Sequence, residues 1–286
     1  MQIKISTDST ADIPKELTDK YDISVLPLTI HSGDIEWVDG ITITPQEFYQ
    51  VLEQVETLPT SAAIPPSMYS EYFEKMWSAG YSDIIHIALN SKGSSTYQNG
   101  LMARRDFYET HPETEKRFRI HMIDSLSYSM GYGIVVLEAA RLAQNGADVS
   151  TLLSFIRDWL ENARPTFVPL NLKYVKKSGR ISAAAAFVGD VIGLKPVIRF
   201  EEGEARIISK IRGEQRAIKE VLEICKSEIK PGTAYAIVTG NNEKANDDFR
   251  AAVQQAVGWE PLLSYTVGCV ISINTGPDMF GIIYRK

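Results

Sequence analysis

In the stretch Asn90-Ser91-Lys92-Gly93-Ser94-Ser95-Thr96, every position but Gly93 carries a side-chain hydrogen-bond donor. An apolar run over 83–89 leads into it, and a helical pattern over 96–107 follows. A loop from a strand end into a helix start presents unpaired backbone N–H groups and the positive end of the helix dipole. Short hydroxyl side chains add donors without filling the space. Such a loop suits a phosphate or a carboxylate. A helix cap at Ser94 or Ser95 is the simpler use of these residues. A cap needs one such group, and hydroxyls or amides occupy five of the seven positions here.

Similar chemistry recurs along the chain. Asp8-Ser9-Thr10 follows a strand expected at 2–6, and a loop of Asp124, Ser125, Ser127 and Ser129 follows one expected at 119–123. Thr60 and Ser61 lie between Pro59 and Pro65-Pro66, on a linker stiff enough to hold their hydroxyls in place. Asn274 and Thr275 read as the polar tips of a loop after the apolar run 268–273, itself read as a strand. Catalytic machinery is harder to find. His31, His86, His111 and His121 fall into no metal-ligand or catalytic spacing, and Cys225 and Cys269 are far apart in apolar surroundings. No phosphate-binding Walker loop or dinucleotide glycine fingerprint is present. Asp8 and Asp124 are the only candidate carboxylates at the strand ends.

The elements that must carry these loops follow from periodicity. Further strands are expected at 23–28, 167–169, 196–200, 205–211, 234–239 and 262–264, with a hairpin over 29–40 around Gly33-Asp34 and a last strand to Tyr284. Asp12 is the expected N-cap of a helix reaching Tyr21, and Thr44 with Pro45 opens one to Glu53. Other helices are expected at 67–79, from Gly133 through Leu142, to Asn162, at 170–177, at 183–192, at 213–228 and at 243–257. Strands alternating with helices imply a parallel sheet whose carboxyl-end loops converge on one edge. The character changes at Arg164-Pro165, which sets the expected division into domains at 1–164 and 165–286.

A chain of 286 residues with 44% hydrophobic and 23% charged residues is an ordinary globular composition, long enough for two domains. The net charge of −6 argues against a nucleic-acid partner. No segment reads as a secretory leader or reaches the ~18 apolar residues of a membrane span. The expectation is a cytoplasmic protein with no stable membrane anchor, no disulfide, no metal and no cofactor.

Several of these stretches, in this order, resemble the DegV family of bacterial fatty-acid-binding proteins. They are STDSTADIP at 6–14, TSAAIPPS at 60–67, NSKGSSTYQ at 90–98 and IDSLSYSMGYG at 123–133. LKYVKKSGRIS at 172–182, GLKPVIRFEEGE at 193–204 and INTGPDMFGI at 273–282 complete the set, which spans nearly the whole chain. The resemblance implies a two-domain α/β fold, with a parallel-sheet, Rossmann-like N-terminal domain and an α+β C-terminal domain enclosing the acyl chain. It implies a bound long-chain fatty acid at the domain boundary and no catalysis by the protein itself. The carboxylate would be met by Thr60 and Ser61, by Ser91 or Ser94, and at the Asn274-Thr275 turn. Some members of the family present that carboxylate to a separate fatty acid kinase, and Lys177 and Arg180 would then face the head group or this partner. Two departures stand out. Asn274 and Asp278 replace the histidine and the closing glycine of the family's His-Thr-Gly-Pro-Gly pattern, and the serine loop lacks the family's first serine and its glycine. The alternative is an enzyme or binder acting on a small phosphorylated or carboxylated ligand at the hydroxyl-rich sheet edge.

Overall fold

The computed structural model describes residues 2–180 and 193–286. The helix expected at 183–192 lies outside the described residues. The chain forms an α/β protein of two compact units. Met1–Thr29 with Ser61–Leu160 make the first, and Ile30–Thr60 with Glu161–Lys286 the second.

The first unit is built on four parallel strands, β1 (Ile3–Asp8), β2 (Ser24–Leu26), β6 (Asp83–Ala88) and β7 (Arg119–Asp124), in the order β2-β1-β6-β7. Every residue of β6 is buried, Ile84, Ile85 and Ile87 together with Asp83 and His86, as befits a central parallel strand covered on both faces. The strand order reverses direction beside β1, which puts the topological switch point between β1 and β6. In open sheets of this kind ligands bind at that crevice. Helices α4 (Thr96–Thr110) and α5 (Met130–Gln144) follow β6 and β7, with α4 packed on β7 and α5 on β1. Helix α3 (Pro66–Ser78) starts at the paired prolines, as expected, and packs on α4.

The second unit has a six-stranded sheet in the order β10-β9-β8-β13-β11-β12. Its strands are β8 (Ala163–Pro169), β9 (Leu194–Glu201), β10 (Glu204–Arg212), β11 (Ala236–Thr239), β12 (Leu263–Thr266) and β13 (Met279–Arg285). Only β11 and β12 pair in parallel. Amphipathic helices α8 (Glu214–Glu228) and α9 (Glu243–Val257) close its core with Val221, Phe249, Val253, Phe280 and Tyr284. Cys225 lies in this core, where burial pushes its thiol up to about 12, so it behaves as a small apolar residue.

The sequence division at 164/165 gives way to three crossings of the chain between units. The inserted segment Ile30–Thr60 carries α2 (Pro45–Gln54), opened by a capping box in which Thr44 and Glu47 each satisfy the other's backbone N–H. Its buried face of Phe48, Tyr49 and Leu52 belongs to the second unit. Tyr49 donates to the Val267 carbonyl there, and Tyr174 donates to the Leu52 carbonyl at 3.4 Å. The expected hairpin forms as β3 (Thr29–Ser32) and β4 (Ile35–Val38), joined in a three-stranded sheet by β5 (Thr60–Ala62).

Two further expectations are corrected. The run 268–273 is no strand but the start of a helix, α10 (Cys269–Thr275). All its residues except Asn274 are buried, and an apolar run hidden on every side carries no period that separates strand from helix. Asp12 does not cap α1 (Lys15–Lys20): it takes a left-handed conformation (φ 54°) behind a 3-10 turn, and Pro14 holds the cap position. No helix among the described residues is long and apolar enough to cross a membrane.

His86, fully buried on β6, faces its cross-strand partner Ser6. Its Nδ1 lies 3.0 Å from the Ser6 hydroxyl and its Nε2 3.0 Å from that of Tyr69. Burial lowers its pKa from the ordinary 6.5 to about 3. The unfolded chain therefore binds a proton below pH 6.5 that the folded chain refuses, so stability falls as pH falls between 6.5 and about 3. The contribution is about 1.4 kcal/mol per pH unit. Urea unfolding from pH 7.5 downward should show this slope, and His86→Leu should flatten it by that amount despite a lower stability overall.

Candidate functional site

The carboxyl-end loops of the first sheet are tied together by three aspartates. Asp8, at the end of β1, is fully buried. Its Oδ2 accepts from the Leu89 N–H at 2.8 Å, and its Oδ1 from the Thr10 N–H at 3.1 Å, the Thr10 hydroxyl and the Tyr132 hydroxyl at 2.6 Å. Burial raises the Asp8 pKa, and these hydrogen bonds oppose the rise. Burial and the Asp8 charge also hold the Tyr132 hydroxyl well above its ordinary value, hence protonated and donating. Asp124, at the end of β7, accepts from the Ser91 N–H at 3.1 Å and the Leu126 N–H at 3.0 Å. Asp12 accepts from the Ser129 hydroxyl at 2.5 Å. Neither Asp8 nor Asp124 stands ready as an acid or base on a substrate, because each is occupied in holding loop N–H groups.

Within the serine loop, Asn90 braces the turn: its Oδ1 accepts from the Lys92 N–H and its Nδ2 donates to the Tyr128 hydroxyl, both at 3.1 Å. Gly93 lets Tyr128 approach closely, since a Cβ there would fall 1.9 Å from the tyrosine oxygen. The hydroxyl of Ser94 accepts from the Thr96 N–H at 3.2 Å and lies 3.0 Å from the Thr96 hydroxyl. Ser94 therefore does the capping work, and Ser95, at the N-cap position, makes no side-chain cap bond. The Ser91 hydroxyl is part-exposed and enters no hydrogen bond among the described residues.

The prolyl linker joins this edge. The Ile64 N–H donates to the Thr96 hydroxyl at 3.3 Å, and Asn99 Nδ2 donates to the Ile64 carbonyl at 2.8 Å. Ser61 lies three residues upstream of this tie, on β5. Its hydroxyl and that of exposed Thr60, the last residue of the second unit's inserted segment, enter no hydrogen bond among the described residues.

The remaining candidates lie in the second unit. Asn274 and Thr275 end α10 instead of tipping a loop. Thr275 is buried and donates to the Ile271 carbonyl at 3.2 Å or the Gly276 carbonyl at 3.1 Å, while Asn274 donates to the Val270 carbonyl at 3.0 Å. Gly276 follows at φ 85°, and a Cβ there would meet the Tyr174 ring at 2.7 Å. Tyr174 lies on α7 (Leu172–Ser178), which packs on α10. Lys177 is exposed in the last turn of α7, where the helix dipole favours a cation, and exposed Arg180 folds back to donate to the Ser178 carbonyl at 3.1 Å. Sequence reading missed Tyr132, Tyr128, Asn99 and Asp12 as parts of this architecture. Tyr132 stands 124 residues from Asp8, a distance no local pattern spans.

Comparisons with known proteins agree along the full length. The family model described as "Uncharacterised protein, DegV family" matches residues 2–286. A DegV domain-containing protein of Caldanaerobacter subterraneus is 30% identical, covering 100% of this chain and 99% of that protein. Among solved structures, a DegV family protein of Thermus thermophilus, described by its fatty acid binding, is 26% identical with a TM-score of 0.89, each chain covered at 100%. A stearic-acid-binding protein of Eubacterium ventriosum has the same fold, with a TM-score of 0.90 at 23% identity, covering 100% of this chain and 99% of its own.

Asp8 is the tie whose loss the loops should feel most. Asp8→Asn keeps the shape but replaces an acceptor-only group with one oxygen and one NH2, leaving at least one of the Leu89, Thr10 and Tyr132 donors without an acceptor. The expected loss is about 2–4 kcal/mol by chemical unfolding. Amide exchange should speed up first at Leu89 and Thr10.

Proposed function

We propose, since the chain belongs to the DegV family, that it is a non-catalytic protein that binds a long-chain fatty acid. The observation that carries this reading is the full-length likeness to the fatty-acid-binding Thermus thermophilus structure, together with three hydroxyls in the family's positions, Thr60, Ser61 and Ser91, that bond to nothing among the described residues. These would donate to the ligand carboxylate. Ser94, engaged with Thr96, would help through its place in the loop, and Asn274 and Thr275, whose own protons go to helix carbonyls, would border the head group without donating to it. No cofactor is needed for this role.

Energetics divide the work between chain and head group. Burying one methylene contributes ~0.8 kcal/mol, so about fourteen contribute roughly 11 kcal/mol before ordering costs. A hydrogen bond to a charged group adds about 1.5–3 kcal/mol. The acyl chain would supply affinity, and the hydroxyls would set the orientation of the carboxylate. An oriented carboxylate can be offered to a fatty acid kinase in the bacterial cytoplasm, where ATP is available, and exposed Lys177 and Arg180 suit contact with that partner or with the acyl phosphate. The enzyme reading is weaker, because Asp8 and Asp124 already hold the loops together.

The test is retention of the head group. Thr60→Ala combined with Ser61→Ala should weaken the free acid about tenfold in a fluorescent fatty-acid displacement assay, leaving the methyl ester unchanged. The circular dichroism spectrum should not move. Equal affinity of the variant and the unaltered protein for both ligands would remove these hydroxyls from the site.

A further inference from the structure

The end of α10 and the turn after it are rich in hydrogen-bond acceptors. Asn274 Nδ2 donates one turn back to the Val270 carbonyl at 3.0 Å. This bond sets the way the amide faces, since turning it over would press Oδ1 against a carbonyl oxygen. Oδ1 is therefore held on the opposite side, buried and without a hydrogen-bond partner. The neighbouring Thr275 turns its proton inward to the helix carbonyls. Beyond the turn, burial raises the pKa of Asp278, and nearby Glu53 raises it further against the opposing charge of Lys195. The Lys195 ammonium donates to the Leu170 carbonyl at 2.7 Å. Glu53 is held at the same turn through Asn241, whose Nδ2 donates to it at 3.3 Å and whose N–H donates to the Pro277 carbonyl at 2.8 Å.

A buried amide oxygen without a partner is completed only by a donor. An ionised carboxylate has no proton to give to that oxygen, and the carboxylates of Asp278 and Glu53 add negative charge at the turn that follows. We propose that Asn274 Oδ1 is a specificity contact that takes the hydroxyl proton of a neutral lipid head group, that of a fatty alcohol or of an un-ionised fatty acid. This proposal rests on the acyl-lipid reading above and narrows it. Where the family pattern carries a histidine able to donate, this chain presents an acceptor, so its preference shifts from the ionised head group toward a hydroxyl-bearing one.

Competition binding at mildly alkaline pH with hexadecanol, hexadecyl methyl ether and palmitate separates the possibilities. The alcohol and the ether share the chain and differ in the donor. The alcohol should bind about tenfold tighter than the ether, and at least as tightly as palmitate. Asn274→Leu should close the gap between alcohol and ether, and Asn274→His should move the preference toward palmitate. Equal binding of alcohol and ether to the unaltered protein, or a gap that survives Asn274→Leu, overturns the proposal. If palmitate binds under those conditions, the fatty-acid reading stands without this contact. If none of the three lipids binds, the fatty-acid reading falls and the Asn274 contact falls with it.

Discussion

A buried carboxylate cannot stay in a protein interior without donors around it, and the first unit depends on how Asp8 meets that constraint. Its donors come from its own turn at Thr10, from the start of the serine loop at Leu89 and from α5 at Tyr132. Two strand ends and one helix are thereby locked at the switch point of the sheet. The lone-pair demand that makes the charge tolerable also sets the shape of the candidate site. Asp124 repeats the arrangement for the next loop. With loop N–H groups satisfied by aspartates, the hydroxyls of Ser61 and Ser91 remain available.

Charge is handled differently in the second unit. Arg199, nearly fully buried, donates to Thr166 at 3.2 Å, to Glu228 at 3.1 Å and to the Tyr284 hydroxyl at 2.8 Å, and Tyr284 in turn donates to Glu228 at 2.7 Å. This network joins β8, β9, α8 and β13, and the neighbouring Cys225 is kept inert by its burial. Such a pair adds little net stability over an apolar core but penalises every arrangement that leaves a charge unpaired. The unit's polar interior is thus structural.

The sequence by itself determined most of the elements and the order of the loops. The aliphatic run of β6, the Thr44–Glu47 capping box, the paired prolines before α3 and the hairpins around Gly33 and Gly203 are local signals, each satisfied within a few residues. The hydroxyl-rich character of the strand-end loops was equally plain. Tertiary structure decided which of those polar groups hold the protein together and which stay available. Asp8 and Asp124 look like reactive carboxylates until their donors, tens of residues away, are seen. The segment Ile30–Thr60 joins the second unit because its helix buries its apolar face there, and an amphipathic pattern names a face without naming what covers it. Helix α10 escaped detection for a related reason: burial on all sides erases the alternation between solvent and core from which secondary structure is read.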